Sequence, residues 1–125
     1  MLRIVFGTLA LCLATAAAAD KTVTWTGWFS DYGCASGRVR SGIIAPTNPE
    51  CAKSCIGKGA AAVFISEQAK AIFTVKDYPG VIDDLGYHVE VEAKVDERAK
   101  TISIVKVTRH EYQGASCSRR NPTAK

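Results

Sequence analysis

The sequence predicts a mainly β domain of five short strands, with one helix in a long insertion after the first strand and another before the fourth. Three observations support this. Apolar and polar residues alternate over short segments instead of repeating with a helical period. Those segments are rich in Val, Ile, Thr, Phe and Trp. Gly, Pro, Asn and Asp gather between them.

Thr22 to Ser30 reads as a long first strand. Val23, Trp25, Gly27 and Phe29 share one face, and Trp28 and Ser30 the other. Gly27 suggests a bulge or a bend where the strand curls. Residues 31–47 then read as a loop, rich in Gly, Ser and Pro and long enough to need a function or a staple. A helix follows. Asn48 can cap it, Pro49 suits its first position, Glu50 complements its dipole, and Gly57 and Gly59 stop it.

Ala61–Ser66 and Lys70–Lys76 form a hairpin through Glu67-Gln68-Ala69. Val81, Ile82 and Leu85 fall on one side of a short helix that Gly86 ends. Tyr87 to Val95 alternates, with His88, Glu90, Glu92 and Lys94 facing solvent. Thr101–Thr108 is the last strand. Its apolar phase shifts from Ile102 and Ile104 to Val105 and Val107, which suggests a β-bulge or burial on both faces. Five strands with a helix between the third and fourth is the order of an OB-like β-barrel. Closure would remove the open edges.

The N-terminus predicts export. Arg3 precedes an apolar run to Ala18, and Ala17-Ala18-Ala19 offers small residues for cleavage before Asp20. Residues 1–19 therefore read as a signal peptide. The run is shorter than the roughly 20 residues of a spanning helix, so no membrane association is expected after cleavage. The expected organisation is a signal at 1–19, a single domain at 20–112 and a tail at 113–125, in the periplasm or secreted. A domain of this size buries only some 60–70% of its unfolded surface, so cross-links would help it. Basic residues number 16 against 12 acidic ones. Losing Arg3 with the signal leaves a mild positive balance that does not call for nucleic acid.

Gly27-Trp28-Phe29-Ser30-Asp31-x-x-Cys34, followed by Cys51-Ala52-Lys53-Ser54-Cys55, resembles a group of small exported bacterial domains of unknown function. They share a G-W-[IF]-S-D-x-x-C opening and a C-x-x-x-C helix. The resemblance covers roughly residues 22–108. It implies an OB-like β-barrel and an exported location, with no established reaction. Relatives often carry a His a few residues after the first cysteine, where this chain has Gly37-Arg38, and Cys117 looks like an addition.

The cysteines carry the sharpest chemistry. Cys12 leaves with the signal, and Cys34, Cys51, Cys55 and Cys117 remain. In an exported domain they read first as two disulfides. Cys51 and Cys55 lie one helical turn apart, with Cβ atoms about 5–6 Å from each other, whereas a bridge wants about 3.5–4.5 Å. Cys34 and Cys117 are therefore the expected partners of the two helical cysteines. A bridge from Cys34 would staple the loop, worth about 3 kcal/mol. The alternatives are a soft-metal site for copper or zinc on Cys34, Cys51 and Cys55, and a thiol enzyme using Cys51 in the first helical turn.

Trp28 and Asp31 are the candidate ligand-binding residues. Trp28 is either buried under the insertion or the wall of a ligand site, and Asp31 can cap the loop through backbone N–H groups. His88 and His110 read as plain surface. No G-x-S-x-G, H-E-x-x-H or phosphate loop is present. The expectation is a non-enzymatic exported module without a cofactor, binding a small molecule, a glycan or a protein. OB barrels bind on the face of strands two and three. Phe64, Ile72 or Phe73 lies there according to register, but without an aromatic row for oligonucleotides.

Overall fold

The computed structural model describes residues 21–114. The expected signal peptide and Cys117, with any bridge to it, lie outside them. The chain runs β1 (Lys21–Asp31), α1 (Tyr32–Arg40), α2 (Pro49–Gly57), β2 (Ala62–Ser66), β3 (Ala71–Lys76), α3 (Val81–Asp84), β4 (Tyr87–Asp96) and β5 (Thr101–Tyr112). The mainly β class and all five expected strands are present. The strands close hydrogen bonding in a ring of order β1-β2-β3-β5-β4. Only the β3–β5 pair is parallel.

β1 makes the ring possible. Lys21 to Gly27 pair with β4, and Gly27 to Asp31 pair with β2. Gly27 is the pivot between the two partners. A Cβ there would lie 1.8 Å from the Ile65 carbonyl oxygen, so only glycine lets the curled strand approach β2. The phase shift in β5 is a bulge. Glu92 pairs with Lys106 and Ala93 with Ile104, leaving Val105 unpaired and 65% exposed.

Inward-facing residues fill the ring. Phe29, Phe64 and Phe73 meet Val89, Val91 and Ile102, all essentially inaccessible to water. Each such side chain contributes about 1.5–3 kcal/mol by burial. α2 adds Ala52 and Ile56 to this interior, α3 adds Val81, and Leu85 just after α3 joins them. Register resolves the β2–β3 face. Phe64 pairs with Phe73 and both point inward, while Ile65 pairs with Ile72 on the other face. There a second, smaller core joins Trp28, Val63 and Ile65 to Ala35 and Val39 of α1.

Two expectations need correction. Residues 32–40 form α1, not a loop. Gly33 and Gly37 give this segment poor helix propensity. It is helical because Asp31 caps it and Ala35 packs completely buried against the sheet. The last strand also runs four residues past Thr108, to Tyr112, because Tyr87 at the start of β4 supplies a partner for Tyr112. Gln113, expected in the tail, donates its backbone N–H to the Gly86 carbonyl at 2.7 Å.

Candidate functional site

Asp31 ends β1 and begins α1. It is 0% exposed, and its Oδ2 accepts the backbone N–H of Cys34 at 3.1 Å. Aspartate at this position is a strong N-cap, since its carboxylate satisfies an orphan amide of the first turn. The expected capping role is thus met, though the cap belongs to a helix. Its other oxygen, Oδ1, is buried without a hydrogen-bond partner among the described residues.

The cap spacing carries Cys34 back over the carboxylate. α2, capped by Asn48 through the Cys51 N–H at 2.9 Å, brings Cys55 to the same place. An Asp31 oxygen and the Cys34 and Cys55 sulfurs all lie within 4.8 Å of one another. Two members of the trio that the sequence offers as an alternative soft-metal set, Cys34 and Cys55, belong to this cluster. Cys51, one turn earlier on α2, falls outside this set, and Asp31 takes its place.

No disulfide joins Cys34, Cys51 and Cys55 to one another. The first and last of these instead share the Asp31 carboxylate. Burial, foremost, pushes the Cys34 thiol up to about 12, helped by a hydrogen bond with Asp31 and by the charges of Asp31, Cys55 and Cys51. At neutral pH Cys34 is a protonated thiol, not a nucleophilic thiolate.

The other side of α1 faces a groove of ≈ 390 Å³. Tyr32, Val39 and Arg40 of α1 form one wall, Ala71 and Ile72 of β3 the floor, and Lys100 of the β4–β5 turn the far side. The floor is apolar, Tyr32 is 52% exposed, and both charged lining residues are cations.

Trp28 does not line this groove. It is 6% exposed beneath α1, with its indole N–H donated to Gln113 Oε1 at 3.1 Å. The solvent-face reading of His88 is corrected as well. Its ring is half-buried, lies 5.2 Å from the Trp28 ring, and pairs through Nε2 with the Glu67 carboxylate. His110 is exposed, with its ring 5.9 Å from that of His88.

Sequence reasoning missed a buried carboxylate. Asp84, at the end of α3, is 3% exposed. It accepts hydrogen bonds from the Tyr78 hydroxyl and from the Arg109 guanidinium, which also donates to the Asp83 carbonyl at 3.1 Å. Tyr78 is six residues from Asp84, but Arg109 is 25 away, so no local spacing announces the ion pair.

No family model, curated protein or solved structure matches the chain.

Proposed function

We propose that the chain is an exported, OB-like binding module that holds a small anionic amphipathic molecule in the groove between α1 and β3. The observation that carries this reading is the groove's position and lining. Five-stranded barrels of this strand order use the face of strands two and three, flanked by the strand 1–2 and strand 4–5 connections, to hold ligands. Here α1 belongs to the first connection and Lys100 to the second. The volume of ≈ 390 Å³ suits a small molecule. The apolar floor of Ala71 and Ile72 favours a hydrocarbon or aromatic body, and Arg40 with Lys100 favours a carboxylate or sulfonate on it. A single exposed ring, Tyr32, offers no extended platform for a glycan or an oligonucleotide. The export part of the reading rests on the N-terminal pattern.

The test is a fluorescence titration with anilinonaphthalene sulfonate, an aromatic anion. Saturable binding at one site per chain is expected, weakened about five-fold when Arg40 and Lys100 are both replaced by Ala, as expected for two partly screened charges. Ile72→Asp should abolish it. Binding that neither change affects rejects the groove as the site.

A further inference from the structure

We propose that Asp31, Cys34 and Cys55 form a site for a thiophilic divalent cation of the zinc type, which ties α1 to α2. The strongest observation is the state of Asp31. Its side chain is wholly buried, one oxygen caps α1, and the other has no hydrogen-bond partner among the described residues. A buried carboxylate without full pairing is costly, and proteins compensate such groups with partners or metal ions. No salt bridge to Asp31 occurs among the described residues. The groups that do approach it are two thiols, within 4.8 Å of it and of each other.

That arrangement suits one class of ion. Zinc binds sulfur at about 2.3 Å and carboxylate oxygen at about 2.0–2.2 Å in a tetrahedron. Its ligand atoms then stand about 3.3–3.8 Å apart, so small side-chain rotations would close the set. Two thiolates exclude magnesium and calcium, which take oxygen ligands, while the carboxylate favours zinc over copper(I). Binding balances as follows. The dication replaces the protons of Cys34 and Cys55, two protons pass to solvent, and the centre of two thiolates, one carboxylate and one dication carries net charge −1. The fourth position is taken by water or by the Cys51 sulfur.

The site stands apart from the groove, on the opposite side of α1, and does not depend on the groove's having a ligand. Its consequence for the groove is mechanical. An ion joining Cys34 to Cys55 fixes the helix that carries Tyr32, Val39 and Arg40.

The full chain, isolated without reductant under thiol trapping, is the material for the test. One zinc per chain is expected, with Cys34 and Cys55 protected from alkylation until a chelator is added. Cobalt(II) in place of zinc should give a thiolate charge-transfer band and tetrahedral d–d bands. Cys34→Ser and Cys55→Ser should each remove the charge-transfer intensity of one thiolate. Asp31→Asn keeps a good helix cap and should weaken zinc at least about ten-fold. A Cys34–Cys55 disulfide in the isolated chain overturns the proposal. So does cobalt uptake without the thiolate band, or full zinc affinity in Asp31→Asn. None of these outcomes bears on sulfonate binding in the groove, so the two readings fail separately.

Discussion

Among the described residues two aspartates are almost fully buried, and their surroundings differ in kind. Asp84 has both oxygens engaged, one by the Tyr78 hydroxyl and one by Arg109. Asp31 has one oxygen on the Cys34 amide and the other on nothing described. The first carries its compensation within the fold. The second sits beside two thiols, with Oδ1 left without a hydrogen-bond partner among the described residues. A closed sheet can therefore hold a buried charge either as a finished brace or as an open site. The count of satisfied lone pairs distinguishes them better than burial does.

The largest expected effect concerns the open site. At a free zinc concentration of one hundred times Kd, the wild-type chain should gain about 2.7 kcal/mol, read as a rise in the denaturant midpoint. Asp31→Asn should lose most of that gain at the same zinc concentration. If zinc stabilises both chains equally, Asp31 is not a ligand.

Breaking the finished brace comes next. Asp84→Ala removes the acceptor of the Tyr78 hydroxyl, a bond to a charged group, and should cost about 2 kcal/mol whether or not zinc is present. A change in urea midpoint with unchanged slope would check it. An unchanged midpoint would mean that the brace does not hold α3.

Alkaline pH separates the two regions more gently. Burial, and then the bond to Asp84, raises Tyr78 from its ordinary 10.0 to about 12. Cys34 is raised from 9.0 to about 12. In both cases the folded chain holds the proton more tightly. The associated stabilisation is complete below the ordinary value and is lost as pH climbs towards about 12. Metal-free protein should therefore begin to lose stability near pH 9 through Cys34 and further above pH 10 through Tyr78. Cys34→Ser should remove the earlier component and Tyr78→Phe the later one, measured as unfolding midpoint against pH. A decline with the same onset in both variants would contradict this division.

Much of the fold was legible because it rests on local periodicity. The strands, the bulge at Val105 and the role of Gly27 follow from alternation and from a glycine where β1 changes partners. α1 was hidden because Gly33, Gly37 and Ser36 give it little intrinsic helicity, and burial of Ala35 decides the matter. The candidate site was half legible. Cys34, Cys51 and Cys55 stood out together in the sequence, and the Asp-x-x-Cys spacing is that of a cap and its third helical residue. Replacing Cys51 by Asp31 in the cluster required the three-dimensional approach of α1 to α2. The Arg109 arm of the brace on Asp84 depends on tertiary packing and left no trace in the sequence.

The contrast between the two aspartates is tested most directly by conservative neutralisation. Asp31→Asn and Asp84→Asn should each be unfolded in urea with chelator and then with excess zinc. The account expects Asp84→Asn to be destabilised in both conditions while keeping the full zinc response. It expects Asp31→Asn to lie within about 0.5 kcal/mol of wild type in chelator, because asparagine caps as well as aspartate, and to lose most of the zinc response. A chain in which Asp31→Asn is as damaging as Asp84→Asn in chelator, with the zinc response intact, would contradict it.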